Sequence, residues 1–501
     1  MDKKYWRSLG ELHSTPEFEE VLHREFPVAA SEYPEGVSRR RWMQIMGASV
    51  ALAGATGCHW EDEKISPSVS RPEGLIPGVP QKFATFMELG GQAESLLVTC
   101  YDGRPIKVEG NPDSPQSQGA SSVFAQSETL SLYDPDRAVG VVEYKGKSRF
   151  GRDWGAFFEY SDTVLGQARK NDGAKLRVLA DVSSSAARKA LQEKFAELYP
   201  QSKWYDYTAC SRDNVYAGAR LAFGEVVRPQ FDLTKANIIV CLDEDLLSEH
   251  PASLKHTRDW ASRRDPAAGP MNRLYVVESR FTTTGISADH RLPTRSVDMG
   301  AFLSKLEAQV QASLSGKKAE AASDDYADKV LAAMAEDLVA NQGSSLIAIG
   351  ASQPAELQAR VHKLNEQLGN VGEAVKYTKE PLARELTAVE ALRALTDEMQ
   401  SGAVDTLIIL GGNPAYNAPG DIDFVTALSK VPNAVHLGEY EDETSLLCKW
   451  HLPKTHPFEQ WGDSRSYDGT LCIGQPLIEP LHDGKSEVEL LAILCGDKHP
   501  A

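Results

Sequence analysis

Three polar loops in the sequence combine glycine, hydroxyl and charged residues that could hold a phosphate-bearing ligand. They span residues 278–289, 350–354 and 411–417, and each directly follows a short apolar run. Arginine and hydroxyl groups bind phosphate oxygens, and glycine lets a backbone approach the ligand closely. Plain strand-to-helix turns are the alternative, because no loop contains G-x-G-x-x-G or G-x-x-x-x-G-K-[ST]. The candidate ligand-binding residues are Arg280, Thr284, Gly285, Asp289, Gly350, Ser352, Gly411, Gly412 and Asn413.

A histidine-containing run near residue 455 could bind a metal ion. His451, His456 and Glu459 supply two imidazoles and a carboxylate, which are common metal ligands. Prolines within the run prevent one helix from aligning the three side chains. We therefore expect no metal here and interpret the run as a loop that packs around nearby tryptophans.

Two aspartates beyond this run are candidates for acid–base chemistry. Asp463 and Asp468 lie on either side of Arg465, so an ion pair with that arginine is the alternative. The chain contains no G-x-S-x-G motif, and no Ser/His/Asp set can be extracted. We assign no catalytic residue to this chain.

The seven cysteines are widely separated, and no C-x-x-C or C-x-x-C-H motif is present. This spacing excludes an iron–sulfur cluster or a zinc ribbon built on local pairs, and heme attachment through that motif. Cys241 lies in an apolar run and is interpreted as a buried small side chain.

The paired arginines Arg39 and Arg40 begin a segment typical of a twin-arginine export signal. A moderately apolar stretch rich in alanine and glycine follows them, over residues 42–57, and is too short to span a bilayer. The alternative is a buried helix that starts at the arginines, although residues 37–57 lack a polar face. The leader before the signal is unusually long and either docks onto a partner or serves as a spacer.

Small residues precede Cys58 and resemble a lipoprotein box, in which this cysteine would be acylated. Alanine stands three positions before Cys58, where leucine is usual. The alternatives are peptidase cleavage after the small residues and an uncleaved anchor.

Composition indicates a globular protein, with 42% hydrophobic and 25% charged residues. The formal net charge of −18 argues against nucleic acid as a partner.

Short apolar runs alternate with amphipathic segments through most of the chain, which predicts parallel α/β layers. Strands are predicted at residues 96–99, 176–180, 237–242, 274–277, 345–349, 406–410 and 434–437, and helices at 183–199, 324–339, 355–368 and 388–399. The predicted organisation is a leader and signal (1–58), a tether (59–80), a small β-rich region (81–150), an α/β domain (151–314), a linker (315–325), a second α/β domain (326–450) and an incomplete return segment (451–501).

Several runs together resemble molybdopterin oxidoreductases. They are residues 103–115 (GRPIKVEGNPDSP), 132–137 (LYDPDR), 411–419, 440–444, 451–453 and 461–475. With the long twin-arginine leader, they are most similar to the large periplasmic subunit of alternative complex III, a quinol:electron-acceptor oxidoreductase. The resemblance implies a molybdopterin oxidoreductase-like α/β fold. It also implies that molybdenum and the four-cysteine cluster are absent from this region.

The chain departs from the family pattern at the cluster site and in its length. Cys100 stands alone before the 103–115 run, and Ser121 and Ser122 occupy the place of the expected cysteine after it. One thiolate cannot hold a [4Fe–4S] cluster. The chain looks like the front half of such a subunit, so iron–sulfur clusters are expected on a partner or on a missing C-terminal domain.

The sequence therefore predicts a non-catalytic scaffold subunit, or fragment, of a membrane-bound respiratory quinol oxidoreductase, with no cofactor of its own. Expected partners are an iron–sulfur domain, a multi-heme cytochrome and a quinol-binding membrane subunit, at the periplasmic face of the cytoplasmic membrane. Contact with the membrane surface would come through these partners or through lipid. The rivals are an active enzyme that binds molybdopterin guanine dinucleotide at the three loops, and a periplasmic binding lipoprotein.

Overall fold

The computed structural model describes residues 78–497, together with His13, Thr15, Pro16, Phe18 and Ile76. The chain divides into two compact units, Met1–Glu73 and Gly74–Ala501, and the fold below is that of the second. The candidate export arginines Arg39 and Arg40 and the candidate lipidation site Cys58 lie outside the described residues. In the part of the chain that is described, no helix is long and apolar enough to cross a bilayer.

Strands and helices alternate through most of the second unit. The strands are β1 (Gln81–Leu89), β2 (Gln92–Tyr101), β3 (Arg104–Gly110), β4 (Val142–Lys145), β5 (Ser148–Gly151), β6 (Leu176–Ala180), β7 (Lys203–Asp206), β8 (Val227–Phe231), β9 (Ile238–Leu242), β10 (Arg273–Glu278), β11 (His290–Pro293), β12 (Ser345–Ile349), β13 (Val375–Lys379), β14 (Thr406–Leu410), β15 (Asn433–Gly438), β16 (Trp450–Pro453), β17 (Gly462–Arg465) and β18 (Leu471–Gly474). The α-helices are α1 (Val123–Leu132), α2 (Trp154–Arg169), α3 (Ala186–Leu198), α4 (Asp213–Phe223), α5 (Ser253–Ser262), α6 (Thr283–Ile286), α7 (Met299–Leu314), α8 (Tyr326–Ala340), α9 (Ala355–Gln367), α10 (Ala388–Gln400), α11 (Pro414–Asn417), α12 (Phe424–Leu428) and α13 (Glu487–Leu494).

The largest sheet has seven strands in the order β5-β4-β16-β15-β14-β6-β7. Strands β16, β15, β14, β6 and β7 run parallel, and β4 and β5 add an antiparallel edge. Successive residues of β14 enter hydrophobic clusters on opposite faces, with Ile408 in one and Leu407 in the other. Burial on both faces explains why this strand is a continuous apolar run.

Strand order reverses between β6 and β14, which makes this point the topological switch of the sheet. From β6 the chain proceeds to β7 on one side, and from β14 it proceeds to β15 and β16 on the other. Ligands of open parallel sheets bind beyond the carboxyl ends of the strands at such a switch. A ligand of this sheet would therefore contact the residues that follow β6, β14, β15 and β16.

A second parallel sheet has the order β11-β10-β9-β12. Its strand order reverses between β9 and β12, which makes this point its topological switch. Apolar side chains cover both of its faces and form two separate hydrophobic clusters. The N-terminal strands β1, β2 and β3 form a small antiparallel sheet. The predicted α/β class with a small N-terminal β-rich region is thus confirmed.

Most predicted elements match the structure closely. The predicted strands 176–180, 345–349 and 406–410 coincide with β6, β12 and β14, and the predicted helix 388–399 differs from α10 by one residue at its end. The sequence predicts Ser183 or Ser184 as the N-cap of the helix at 183–199, whereas Ser185 caps α3, which spans Ala186–Leu198.

Two strand pairings connect residues on either side of the predicted linker 315–325. Strand β6 precedes the predicted linker 315–325 and β14 follows it, yet the two strands pair in parallel. Strand β12 also follows that segment and pairs with β9 from before it. The segment itself contains the loop between α7 and α8. A polar run identifies a surface loop, but the sheet that the next strand joins depends on long-range packing.

The turn between β1 and β2 is a two-residue turn packed against the body of the unit. Gly90 and Gly91 both have positive φ, of 57° and 75°, as expected for a tight hairpin turn. A Cβ atom on Gly91 would lie 2.8 Å from Leu382 Cδ1 and 2.9 Å from Val182 Cγ1, whereas one on Gly90 would meet nothing within 4 Å. The hairpin tip is therefore seated between two buried side chains.

The adjacent glycines provide a matched test of this packing. Gly91→Ala and Gly90→Ala introduce the same type of backbone strain, but only the first adds a steric clash. We expect Gly91→Ala to lower the free energy of unfolding by about 1–2 kcal/mol more than Gly90→Ala does. Urea denaturation followed by tryptophan fluorescence measures this difference. Equal losses of unfolding free energy in the two variants would contradict the close packing of Gly91 against Leu382 and Val182.

Candidate functional site

A cleft of about 450 Å³ lies at the switch point of the seven-stranded sheet. Three of its lining residues directly follow parallel strands: Asp181 after β6, Glu439 after β15 and Lys454 after β16. The hairpin tip, α1, α3, the start of α13 and residues 460–463 contribute further polar side chains. The fold has therefore placed polar side chains where a parallel sheet normally binds its ligand.

Carboxylates outnumber cations in this cleft. The acidic lining residues are Glu88, Glu128, Asp181, Glu439, Asp463 and Glu487, whereas the basic ones are Arg188 and Lys454. A cleft with this balance favours a neutral or cationic ligand over an anionic one.

Both cations are already paired with carboxylates of the chain. Lys454 Nζ lies 2.7 Å from Glu487 Oε1, and Arg188 Nη1 lies 3.2 Å from the other oxygen of Glu487. Arg188 also contacts Asp206 at 3.2 Å. Burial raises the pKa of Glu487, but Lys454 and Arg188 outweigh it and hold that pKa below its ordinary value. This carboxylate is therefore the anchor for both basic groups.

Asp181 lies against the two glycines that follow β14. A Cβ atom on Gly411 would lie 2.8 Å from one carboxylate oxygen of Asp181, and one on Gly412 would lie 2.9 Å from the other. The predicted close approach at this turn is thus made to a side chain of the chain itself. Burial raises the pKa of Asp181 to about 6, while the charge of Lys454 opposes the shift.

The N-terminus of α3 receives two carboxylates from distant parts of the sequence. Asp463 on β17 accepts hydrogen bonds from Ser185 Oγ and from the Ala186 N–H, both at 2.7 Å. Glu88 on β1 accepts one from the Ser184 N–H at 3.0 Å. Burial raises the pKa of Glu88, although its hydrogen bonds oppose the shift.

The nine candidate ligand-binding residues fall at two separate sheet edges. Gly411, Gly412 and Asn413 follow β14 of the seven-stranded sheet. The other six follow strands of the four-stranded sheet: Arg280, Thr284, Gly285 and Asp289 after β10, and Gly350 and Ser352 after β12.

Polar candidates at the four-stranded sheet contact other residues of the chain. Arg280 forms an ion pair with Glu249, and the Thr284 hydroxyl donates to Asp245 at 2.6 Å. Asp289 pairs with Arg264 at 2.7 Å. The Ser352 carbonyl accepts from Asn214 Nδ2 at 3.4 Å. These contacts hold the loops together.

The candidate glycines at the same sheet allow close internal packing. A Cβ atom on Gly285 would lie 2.0 Å from Glu278 Oε1, and one on Gly350 would lie 2.0 Å from the Asp243 carbonyl oxygen. At the other sheet, Asn413 Oδ1 accepts from the Thr444 hydroxyl at 2.7 Å. This bond ties the Gly-Gly-Asn-Pro turn to the following loop.

The histidine run contributes to packing and capping. His451 Nδ1 lies 2.8 Å from Ser445 Oγ, and His456 Nε2 lies 3.0 Å from Glu128. Glu459 pairs with Arg137 through both of its oxygens, at 3.1 and 2.7 Å. Among the described residues, no group of three or more His, Cys, Asp or Glu side chains is arranged to hold a metal ion.

The alternative ion pairs of Arg465 are not formed. Asp463 caps α3, and Asp468 accepts from the Thr470 N–H and hydroxyl, both at 3.0 Å. Arg465 donates instead to the Gly469 carbonyl oxygen at 3.3 Å. Asp463 and Arg465 lie on β17, whereas Asp468 lies in the turn that follows, and each of the three side chains has a different partner.

The six described cysteines are free thiols, and they are dispersed in the fold. Cys241 is fully buried in an apolar cluster, which confirms its predicted structural role. Cys100, Cys448 and Cys495 lie in three other hydrophobic clusters. These thiols therefore do not converge on one position.

Sequence reasoning missed the residues that line the cleft most closely. Asp181 and Lys454 each follow a strand at the sheet edge, so their position after an apolar run was a usable signal. Glu88 and Glu487 enter the cleft from a hairpin and from a C-terminal helix, and no local pattern marks them.

No protein family model matches the chain. The chain is 22% identical over 513 residues to the menaquinone reductase, molybdopterin-binding-like subunit of Nitratidesulfovibrio vulgaris, covering 92% of this chain and 72% of that protein. It is 21% identical over 443 residues to the probable oxidoreductase YyaE of Bacillus subtilis, covering 78% of this chain and 65% of that protein.

Among solved structures, acetylene hydratase from Pelobacter acetylenicus has a similar fold. The TM-score is 0.61 with 14% sequence identity, over 83% of this chain and 69% of that one. The fold is thus molybdopterin oxidoreductase-like, as the sequence predicted. The relatives named above support the same relationship at the level of sequence.

Replacement of Asp181 by asparagine tests the burial of its carboxyl group. In the native state this group has a pKa of about 6, above the ordinary 3.8, so folding favours its protonated form. That stabilisation is present at low pH and is lost as the pH rises through about 6. We expect the wild type to lose stability relative to Asp181→Asn between about pH 4 and pH 7. Urea unfolding at several pH values in this range measures the difference in unfolding free energy between the two proteins. A difference that does not change with pH would contradict the prediction.

Proposed function

We propose that this chain is a non-catalytic scaffold subunit of a membrane-bound respiratory quinone oxidoreductase of the alternative complex III type. The similarity to a subunit of a menaquinone reductase supports membership in a quinone-linked complex. The motif resemblance in residues 103–115 and 440–444 supports the more specific assignment. In this role the α/β layers hold partner subunits and do not perform chemistry themselves.

The observation that carries the proposal is the charge of the cleft at the switch point. A pterin dinucleotide carries phosphate groups, which need free cations or N–H donors. Arg188 and Lys454 are the basic residues that line this cleft, and Glu487 pairs with both. The donors at the start of α3 are bound to Glu88 and Asp463. The residues present therefore do not fit a phosphate-bearing cofactor in this cleft.

Arginines in the loops of the four-stranded sheet are also paired with carboxylates of the chain. Arg280 pairs with Glu249, and Arg291 pairs with Glu278. These arginines would have to leave a carboxylate before they could bind a phosphate. The contacts at both sheet edges thus favour a structural role over a cofactor-binding one.

Electron transfer would then depend on cofactors of partner subunits. Four of the six described thiols lie in four separate hydrophobic clusters, so no four of them can jointly ligate a [4Fe–4S] cluster. We propose that the partners are an iron–sulfur domain, a multi-heme cytochrome and a quinol-binding membrane subunit. The complex would lie at the periplasmic face of the cytoplasmic membrane.

Purification of the full chain from native membranes tests the scaffold role. We expect it to co-purify with heme-containing and membrane subunits, and to contain molybdenum and pterin well below one per chain. Iron and heme measured in the same sample show that cofactors survived the preparation. Stoichiometric molybdenum and pterin would support the rival active enzyme, and a monomer without partners would contradict membership in a complex.

The proposed location depends on the twin arginines. Replacing Arg39 and Arg40 by lysine keeps the positive charge but removes the paired guanidinium groups that this export route reads. We expect the double variant to accumulate in the cytoplasm, as measured by immunoblots of cell fractions. Arg7→Lys and Arg24→Lys, in the leader before the signal, form a matched control that should leave export unchanged. Normal export of the twin-arginine variant would contradict the proposed route.

A further inference from the structure

Two buried histidines lie side by side on neighbouring strands of the seven-stranded sheet. His436 on β15 is the direct partner of His451 on β16 in the parallel register, and both are fully buried. Ser445, in the segment between these strands, is also fully buried. Its Oγ lies 2.8 Å from Nδ1 of each histidine, so the three side chains form one hydrogen-bonded chain.

The number of hydrogens fixes the direction of each bond when both histidines are neutral. His436 Nε2 lies 3.0 Å from the Gly412 carbonyl oxygen, which can only accept, so Nε2 has the ring hydrogen. His436 Nδ1 is then bare and accepts from the Ser445 hydroxyl. That hydroxyl has one hydrogen, so His451 Nδ1 must donate to Ser445 Oγ. The two histidines therefore have opposite tautomers.

Ser445 determines the tautomer of His451. The other ring nitrogen, His451 Nε2, is buried and has no hydrogen-bond partner among the described residues. No contact on that side of the ring therefore selects between its two neutral forms.

Protonation of His436 requires the Ser445 hydroxyl to turn. In an imidazolium both ring nitrogens bear hydrogens, so Nδ1 can no longer accept from this hydroxyl. Asp442 Oδ1 lies 3.1 Å from Ser445 Oγ, and the Tyr440 carbonyl oxygen lies 3.3 Å from it. The carboxylate is the stronger acceptor because it is charged. After the turn, Ser445 Oγ accepts from both histidines and donates to Asp442.

Asp442 is also the counter-ion for a charge on His436. Its Oδ1 lies 3.6 Å from His436 Nδ1 and accepts from the Ser445 N–H at 2.9 Å. Burial lowers the pKa of His436, Asp442 opposes this shift, and Lys454 adds to it. A buried imidazolium needs an opposite charge at such a distance.

Positive charge is less well balanced on His451. The carboxylate that faces it, Glu441, is paired with Arg149 through both oxygens and accepts from the Tyr144 hydroxyl at 2.5 Å. Burial, with the charges of His436 and Arg149, lowers the pKa of His451 to about 3 against the effect of Glu441. We therefore expect the pair to take up a proton at His436.

We propose that His436, Ser445 and Asp442 form a one-proton switch that responds to pH. A proton from solvent forms a new N–H bond at His436 Nδ1, and the Ser445 O–H bond rotates from that nitrogen to Asp442 without breaking. The charged ring also donates more strongly to the Gly412 carbonyl oxygen, which holds the turn after β14 more firmly. This inference concerns the folded chain and does not depend on the proposed function.

Nitrogen NMR of the full-length chain, isotope-labelled in its histidine rings, tests the switch. His436→Gln and His451→Gln assign the signals. At neutral pH we expect the Nε2–H tautomer at His436 and the Nδ1–H tautomer at His451. On acidification, His436 should become charged while His451 stays neutral. The same tautomer in both rings, or earlier protonation of His451, would overturn the proposal.

Asp442→Asn removes the counter-ion but keeps an oxygen within reach of Ser445. We expect the proton affinity of His436 to fall about tenfold, because an opposite charge is lost. Glu443→Gln is the matched control, since Glu443 is exposed and accepts from Asn413 Nδ2. An equal fall in the control, or no fall in Asp442→Asn, would contradict the assignment of Asp442 as the counter-ion.

Ser445→Ala tests the hydroxyl itself and should release His451 from the Nδ1–H tautomer. Thr444→Val removes a neighbouring hydroxyl that donates to Asn413, and it should leave both tautomers unchanged. An unchanged His451 in Ser445→Ala would overturn the switch. If that variant does not fold, the wild-type tautomers and Asp442→Asn still decide the proposal. None of these outcomes alters the molybdenum and pterin content that tests the scaffold role.

Discussion

A charge that leaves water must be balanced by an opposite charge or by hydrogen-bond donors, and the switch point of the seven-stranded sheet is organised around this requirement. Glu487 balances Lys454 and Arg188, while the N-terminus of α3 balances Asp463 and Glu88. These contacts join elements from both ends of the described chain. The same interactions that hold the architecture together therefore determine which ligands the cleft can accept.

The fold of this chain does not by itself determine the chemistry of its cleft. A molybdopterin oxidoreductase-like arrangement of sheets is retained, including a cleft at the expected edge. In that cleft Glu487 nevertheless pairs with both basic side chains, and Glu88 and Asp463 accept hydrogen bonds from the start of α3. Fold alone does not establish activity, because function depends on the groups placed at the site. Here the basic groups at the site are paired with carboxylates of the chain itself.

Much of the fold was predictable because its buried strands are short apolar runs. Strands β6, β12 and β14 were identified residue for residue, and their burial on both faces explains the clarity of that signal. The partner of each strand was harder to predict, since β6 pairs with β14 across more than two hundred residues. Periodicity reports local structure and contains no information about such pairings.

The candidate site was only partly predictable for the same reason. Gly411 and Gly412 were recognised as a place of close approach, but the group that approaches them, Asp181, could not be inferred from local sequence. Glu88 reaches the cleft from a hairpin that precedes α3 by almost one hundred residues. Asp463 was considered as an acid–base residue, and only the tertiary structure shows that it caps a helix.

The meeting of the β1–β2 and β17–β18 hairpins has a consequence for synthesis. Glu88 and Ser464 are hydrogen-bonded although 376 residues separate them. At roughly 5–20 residues per second, a ribosome would need on the order of 20–75 s to translate that interval. The earliest sheet to leave the ribosome must therefore wait for nearly the last strands before its edge is covered. During that wait Glu88 lacks the Ser464 hydroxyl as a hydrogen-bond donor.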